Sequence, residues 1–173
     1  NGLSYFKSKS GEMFFGGTNG FNAFFPDDLR ENRRKPPIYI TGFKIFDEPV
    51  SVEEGSILKS DISQTKKIVL PYYQKTFSFE FVALDYTAPK KNRYAYKLIN
   101  FDEDWHETDY KNRIAQYMNL SPGTYIFKVR GSNNDGIWNE TGTEIEIMIT
   151  PPFWDTWEFK ISLLLLIMIV IVL

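Results

Sequence analysis

Apolar and polar side chains alternate along most of the chain from Ile38 to Thr150. The alternation has a period of two, which places successive side chains on opposite faces of a β-strand and leaves one face apolar. No helical periodicity competes with it before Trp154. The pattern recurs in about eight short segments separated by turn residues: Ile38–Thr41, Phe43–Phe46, Ile68–Leu70, Phe77–Ala83, Tyr94–Leu98, Arg113–Met118, Tyr125–Gly131 and Glu144–Ile149. These segments predict an all-β fold, an antiparallel sandwich of seven to nine strands.

The segment Leu120–Tyr125 refines this prediction to an immunoglobulin- or fibronectin III-like sandwich. It combines a Leu, the turn Pro122-Gly123 and a tyrosine that opens a strand. In such sandwiches a tyrosine at this position hydrogen-bonds through its hydroxyl to the backbone a few residues upstream. We therefore expect Tyr125 to be structural. We also expect burial of the aromatic residues on the apolar faces, namely Phe79, Tyr96, Tyr117, Tyr125 and Phe127.

A different pattern precedes the sandwich. Three short aromatic runs lie between Leu3 and Phe25, and Asn19-Gly20 suits a type I′ hairpin turn. This meander is too short to bury both of its faces. The proline-bounded, charged segment Pro26–Pro37 then predicts a domain boundary. Its basic cluster Arg33–Lys35 is interpreted as a solvated linker, and we place the first unit at residues 1–35 and the sandwich at 36–152.

The last segment, 153–173, ends in the apolar run Ile161–Leu173. Thirteen residues make a helix of roughly 20 Å, shorter than the ~30 Å hydrocarbon core of a bilayer. Trp154, Trp157 and Lys160 precede the run, as interfacial aromatics and a snorkelling cation precede a membrane helix. We expect the first part of a transmembrane helix. The chain begins at Asn1 without a signal peptide, so we expect it to be a piece of a longer protein.

Composition changes this picture little. Aromatic residues make up 17% of the chain, which favours strands. The net charge of -2 gives no attraction to nucleic acid, and the absence of cysteine excludes disulfides and thiolate metal sites.

Candidate chemistry is sparse. The acidic segment Asp102–Asp104 with Glu107 and Asp109 lacks the ligand spacing of a calcium loop, and Asn133–Gly136 is typical of a turn. His106, the single histidine, is expected in a surface loop without a nucleophile partner. We therefore expect no catalytic, metal or cofactor site and no enzyme activity in this chain. Trp105 and Trp138 suit either a sugar-stacking surface or the core, and the size of the sandwich favours the core.

The spaced motifs resemble a known family. They are the run Tyr94–Trp105, Tyr117-Met118-Asn119-Leu120, Pro122-Gly123-Thr124-Tyr125, Asn134-Asp135-Gly136-Ile137-Trp138 and Pro151-Pro152-Phe153-Trp154. Together they resemble, over roughly Ile38 to Trp157, the triple-tyrosine (Y_Y_Y) domain, which lies between a sensor propeller and the membrane in hybrid two-component histidine kinases of gut Bacteroidota. Tyr96, Tyr117 and Tyr125 match the three tyrosines. Ile99-Asn100 stands where Gly is usual.

The segment Gly11–Leu29 is similar to one repeat of the two-component regulator propeller, in which an aromatic-Gly-Gly run precedes an Asn-Gly turn. A blade needs about four strands, so the resemblance implies the end of a last blade.

The two resemblances imply a periplasmic signal-relay domain of an inner-membrane sensor histidine kinase. An oligosaccharide would bind mainly through the rest of the propeller, and the chain would form homodimers and attach to the membrane through its C-terminal helix. A carbohydrate-binding sandwich of a membrane-attached protein is the alternative.

Overall fold

The computed structural model describes residues 4–172 and divides the chain into two compact units, Asn1–Arg33 and Arg34–Leu173. The first unit is a three-stranded antiparallel meander of β1 (Tyr5–Lys7), β2 (Met13–Gly17) and β3 (Gly20–Phe24). Aromatic rings pair across its strands, with the Phe15 and Phe24 centroids 5.8 Å apart. The β2–β3 turn is centred on Thr18-Asn19, and among residues 17–20 only Gly20 takes a positive φ, of 125°. The predicted type I′ turn at Asn19-Gly20 is therefore wrong, since both central residues of that turn need positive φ.

The second unit is a sandwich of nine strands and one helix. Its elements are β4 (Ile38–Ile45), β5 (Glu48–Pro49), β6 (Lys67–Pro71), β7 (Phe77–Ala83), β8 (Arg93–Ile99), β9 (His106–Asp109), β10 (Ile114–Tyr117), β11 (Gly123–Ser132), β12 (Trp138–Thr150) and α1 (Trp157–Val172). Short 3-10 turns lie at Pro26–Asp28, Pro89–Lys91 and Phe153–Asp155. The predicted β-sandwich is confirmed.

The nine strands form two facing sheets, ordered β10-β7-β4-β5 and β6-β12-β11-β8-β9. The pairings are antiparallel except one: β6 runs parallel to β12, with Ile68 opposite Ile147. The prediction of a purely antiparallel sandwich is wrong at this edge. The reason is that the long segment 50–66 carries the chain from one sheet to the other, so β6 arrives beside β12 in the same direction.

The core lies between the two sheets and is made by the predicted apolar faces. Phe79 of β7 stacks on Phe127 of β11 with centroids 4.7 Å apart, and both side chains are fully buried. Leu58 and Ile62 add to the core from the segment between β5 and β6, which shows no strand pattern. Burial of such side chains contributes roughly 1.5–3 kcal/mol each.

The sandwich has two ends with different connections. The linker end consists of the incoming segment 34–37 and the loops 84–92, 110–113 and 133–137. The helix end consists of the turn 46–47, the loops 72–76, 100–105 and 118–122, and the outgoing segment 151–156.

Helix α1 begins at Trp157, close to the predicted start of the apolar segment. Its side chains are exposed along its described length. Within residues 4–172, no helix has both the length and the apolar character needed to cross a membrane.

Candidate functional site

Two asparagine side chains hold the incoming segment at the linker end. Asn133 Nδ2 donates to the Arg34 carbonyl oxygen, and Asn139 Nδ2 donates to the Pro36 carbonyl oxygen, both at 2.9 Å. Asn133 is fully buried, and its Oδ1 accepts the N–H groups of Asp135 and Ile137 at 3.0 and 2.9 Å. This arrangement, the asparagine clamp, ties the chain before β4 to the β11–β12 hairpin. Its Gly136 has φ +80°, as the turn requires.

Further polar groups surround the clamp. Asp85 Oδ2 accepts the Asn134 N–H at 3.2 Å, and the Asp85 carbonyl accepts Asn92 Nδ2 at 3.1 Å. Ser132 Oγ accepts the Arg93 N–H at 3.3 Å. A cleft of about 710 Å³ opens beside them, lined by Lys90, Lys91, Asn92, Arg93, Glu107, Thr108, Asp109, Tyr110, Asn112 and Asn134. The linker end is thus polar and internally hydrogen-bonded.

One strand joins the clamp to the helix end. β12 contains 13 residues, from Trp138 beside the clamp to Thr150, which corresponds to roughly 40 Å of extended chain. A bulge near Val129 interrupts its pairing with β11. Gly142 occupies the bulge with φ +56°, and a Cβ there would lie 2.1 Å from the Val129 carbonyl oxygen. Only glycine fits this position.

Two of the three predicted tyrosines lie in a cluster around Asp102, Tyr117 through a direct hydrogen bond and Tyr96 through the His106 ring. The Tyr117 hydroxyl donates to Asp102 Oδ2 at 2.8 Å, and the Leu98 N–H donates to the same oxygen at 2.7 Å. His106 Nε2 lies 3.2 Å from Asp102 Oδ1, and its ring stacks on Tyr96 with centroids 5.3 Å apart. The Asp102 side chain is 7% exposed. It therefore points into the fold as a hydrogen-bond centre, a role that the acidic segment Asp102–Asp104 did not indicate.

The environment of this cluster opposes loss of the tyrosine protons. Burial, followed by the hydrogen bond to Asp102, raises the pKa of Tyr117 far above its usual value. Burial, followed by the negative charge of Asp102, also raises the pKa of Tyr96. Both tyrosines remain neutral at physiological pH and act as fixed hydrogen-bonding and packing groups.

The burial of the tyrosines is uneven. Tyr117 and Tyr125 are buried as predicted, at 4% and 7% exposure, whereas Tyr96 is only partly buried. Tyr96 packs against the core but is buried less completely, because β8 lies next to the edge strand β9, from which His106 stacks on the Tyr96 ring. His106 itself is exposed as expected, but it begins a strand and does not lie in a loop.

The turn chemistry around Tyr125 agrees with the prediction. Its hydroxyl donates to the Ser121 carbonyl at 2.9 Å, which confirms the tyrosine corner. Pro122 is exposed in the preceding turn, and Gly123 begins β11 against the Tyr125 ring. Asn100 takes φ +71°, a conformation that Asn tolerates better than most residues, and its Nδ2 donates to the Thr124 carbonyl. Asn therefore replaces the usual Gly without loss of the turn.

The two tryptophans of the sandwich are not in the core. Trp105 is 37% exposed and Trp138 is partly buried, so the core prediction is wrong for them. The Arg130 guanidinium lies 4.3 Å from the Trp105 ring centroid and 5.3 Å from that of Trp138. Arg130 also pairs with Glu140. The stack covers the outer face of the larger sheet, because the inner face is already filled by Phe, Ile and Val side chains.

At the helix end, the outgoing segment contacts the sandwich through aromatic rings. Trp154 meets Tyr72 edge-on with centroids 5.2 Å apart, and Phe153 meets Phe159 of α1 at 5.4 Å. Lys160 Nζ lies 2.6 Å from Asp155 Oδ1. Trp154 and Trp157 are 47% and 69% exposed. The three predicted membrane-interface residues, Trp154, Trp157 and Lys160, thus lie together where the chain leaves the sandwich.

Sequence reasoning missed the clamp and the hydrogen-bond role of Asp102. Asn133 and Asn134 were interpreted as turn residues, which they are, but the partners Arg34 and Pro36 lie 99 and 103 positions away from Asn133 and Asn139. No spacing rule connects residues so distant. The local sequence shows no more than the position of Asn139, the second residue of the strand that follows the Asn-Asp-Gly turn.

Comparison with known proteins supports these observations. Residues 85–150 match the family model of the Y_Y_Y domain. The chain is 36% identical over 146 residues to Histidine kinase P4 of Formosa agariphila. The aligned region covers 84% of this chain and 10% of that relative. Extracellular domains described as those of the hybrid two-component systems BT3049 and BT4673 of B. thetaiotaomicron have TM-scores of 0.66 and 0.65. Each is 27% identical, over 85% of this chain and 20% of the solved one.

The chain is therefore similar to extracellular domains of two-component sensors. Its sandwich contains a Y_Y_Y domain, which confirms the predicted family resemblance. The matched range is shorter than the Ile38–Trp157 expected from the motifs. The chain spans about a tenth of the curated relative and about a fifth of each solved extracellular domain.

Proposed function

We propose that this chain is the periplasmic relay of an inner-membrane sensor histidine kinase. In this role it transmits a change in a preceding propeller to a transmembrane helix that begins with α1. The observation that carries the proposal is the continuity of one strand. β12 starts beside the clamp that holds the incoming chain and ends at Thr150, and six residues separate it from α1.

The geometry suits transmission because the connection is stiff at each step. The clamp fixes the incoming segment by hydrogen bonds to Asn133 and Asn139. β12 pairs with β11 on both sides of the bulge and also with β6 over Glu146–Thr150, so its C-terminal part cannot bend independently of the sheet. Pro151-Pro152 restricts the backbone before α1, and Tyr72 contacts Trp154 beyond it. A displacement at one end therefore moves the other as a body.

The proposal includes an oligosaccharide ligand bound mainly by the propeller and a homodimer of the receptor. By resemblance, a histidine kinase of this class works as a dimer, and an external signal reaches its inner half through the relative position of two helices. The sandwich would pair with a second copy about a twofold axis with both helix ends facing the membrane. The ligand would favour one arrangement to the extent that it binds that arrangement more tightly.

The test uses the full-length receptor in membranes and a panel of plant and host oligosaccharides. The readout is the change in autophosphorylation that each sugar produces. Insertion of Gly-Ser-Gly between Thr150 and Pro151 should abolish that change while basal autophosphorylation remains. The same insertion in the exposed segment Glu53–Gly55 serves as a control and should leave the response intact. An unchanged response after the first insertion would show that the sandwich is a passive spacer.

A second pair of variants tests the clamp. Asn139→Ala removes two partly buried hydrogen bonds on the proposed path, to the Pro36 carbonyl and from the Gly142 N–H, and Tyr125→Phe removes one partly buried hydrogen bond away from the clamp. We expect a weaker response only for Asn139→Ala. Equal effects would indicate general destabilisation.

The alternative, a carbohydrate-binding sandwich, has less support from the side chains. A sugar ring stacks on a free aromatic face, but Trp105 and Trp138 both lie against Arg130. Binding isotherms of this chain with the same oligosaccharides separate the two proposals, since a relay without its propeller should show no binding.

A further inference from the structure

Large apolar side chains are exposed at one end of the sandwich much more than at the other. At the helix end, five of these residues form what we call the helix-end rim: Phe46 (54% exposed), Tyr72 (36%), Tyr73 (59%), Phe101 (52%) and Met118 (65%). Among the loops of the linker end, all of which the structure describes, Tyr86 is the one large hydrophobic residue exposed to a similar degree. The rim is therefore not a general property of the loops.

Phe46 is held at the tip of its hairpin in a strained backbone conformation. It and Asp47 form the two-residue turn between β4 and β5, with φ of +50° and +66°. Such a turn favours Asn-Gly, and a bulky residue in the left-handed region is an outlier. Strained residues concentrate at functional positions. Position 46 therefore has an aromatic ring although a polar residue such as Asn would adopt this turn with less strain.

The rim is continuous with the helix that leaves the same end. Tyr72 contacts Trp154, and Tyr73 contacts Tyr72 with centroids 5.5 Å apart. The apolar side chains of α1 are themselves exposed, Leu164 at 59% and Leu166 at 57%. Whatever covers the rim must lie beside an apolar helix. A lipid bilayer can cover both the rim and the apolar helix. Tyr and Trp are also the residues enriched at the interface between hydrocarbon and water.

We infer that the helix-end rim lies in the membrane–water interface and seats the sandwich directly on the lipid headgroups. This inference rests on the proposed function, because it requires α1 to enter the membrane. The inference adds a second contact with the membrane to the proposed function. A sandwich attached to the membrane only through a flexible segment would transmit tilt poorly, whereas five loop side chains in the interface fix its orientation relative to the bilayer. The rim would then convert a displacement of β12 into tilt or translation of α1.

The chain offers a clean labelling experiment because it has no cysteine. A fluorophore is attached through Lys75→Cys at the helix end, through Lys90→Cys at the linker end, or through Leu166→Cys in α1. All three positions are exposed. The whole chain is reconstituted in phosphatidylcholine vesicles that carry a nitroxide quencher either on the headgroup or in the acyl chain. The two lysine positions are separated by roughly the 30 Å length of β11.

We expect headgroup nitroxide to quench the Lys75→Cys label several-fold more than the Lys90→Cys label. Acyl-chain nitroxide should quench the Leu166→Cys label. The rim variant Phe46→Asn/Tyr73→Ser/Met118→Ser should reduce quenching at Lys75→Cys and leave quenching at Leu166→Cys unchanged. Because Asn tolerates the turn at position 46, this variant should keep the fold, which circular dichroism checks.

The outcomes distinguish the two proposals. Loss of quenching at Leu166→Cys would overturn membrane insertion and with it the proposed function. Quenching at Leu166→Cys with no difference between the two lysine positions would overturn the seating inference alone. If the Lys75→Cys label is instead shielded in a concentration-dependent way without lipid, a second copy covers the rim and the inference is also overturned.

Discussion

Each end of the sandwich holds a neighbouring segment of the chain, and the two ends use opposite kinds of contact. The linker end uses buried asparagine amides that bond to backbone carbonyls, as Asn133 does with Arg34. The helix end uses aromatic rings in edge-on contact, as Tyr72 does with Trp154. A buried hydrogen bond has a defined direction and a high cost when it is broken, whereas ring contacts tolerate small displacements. The incoming segment is therefore held by directional hydrogen bonds, and the outgoing segment by ring packing.

The largest expected effect breaks the fixed end. Asn133→Ala removes three hydrogen bonds from a fully buried side chain and leaves the backbone groups of Arg34, Asp135 and Ile137 without it. We expect the free energy of unfolding to fall by about 3 kcal/mol. Urea denaturation measures the loss. Asn112→Ala, an exposed asparagine at the same end, should change stability by less than ~0.5 kcal/mol. Similar values for both variants would show that the clamp contributes nothing special.

A second prediction uses pH to probe the helix-end side of the core. The folded state raises the pKa of Tyr117, so above the unfolded value of about 10 the unfolded chain loses a proton that the folded chain keeps. The free energy of unfolding should therefore be unaffected by this group below that pH and should fall above it by up to ~1.4 kcal/mol per pH unit. Tyr117→Phe should flatten that decline. Denaturation curves between neutral and alkaline pH test it, and equal slopes in both proteins would contradict the prediction.

A smaller loss is expected at the tyrosine corner. Tyr125→Phe removes the hydrogen bond to the Ser121 carbonyl while keeping the ring in place. Because that bond is only partly buried, the free energy of unfolding should fall by about 1 to 2 kcal/mol, less than for Asn133→Ala. A change near zero in thermal or urea denaturation would show that the hydroxyl is replaced by solvent.

The smallest effect should have the opposite sign. Phe46→Asn with Asp47→Gly gives the β4–β5 turn the residues that its positive φ angles favour. We expect a gain of about 0.5 to 1 kcal/mol in the free energy of unfolding. In the full-length receptor the same double variant should weaken the response if the Phe46 ring serves the membrane surface. A gain in stability with an unaltered response would restrict Phe46 to a structural role.

A feature of the fold could be predicted from the sequence when the residues that form it are close together along the chain. Period-two alternation identified the core strands, for example Phe77–Ala83, because the burial of one face is a property of consecutive residues. The strand β9 and the two-residue β5 carry no such alternation, so they were missed. The tyrosine corner was found because Tyr125 and Ser121 are four positions apart. The clamp was not, because Asn139 and Pro36 are 103 positions apart.

The sequence by itself determined a β-sandwich, its buried faces, its family and the apolar segment that follows it. Each of these depends on composition or on contacts between near neighbours. Only the tertiary structure decided the parallel pairing of β6 with β12, the inward turn of Asp102 toward Tyr117, the outward stack of Trp105 on Arg130, and the opposite chemistry of the two ends. These features depend on which distant segments meet, because a polar or aromatic side chain takes its role from the partner that the fold supplies.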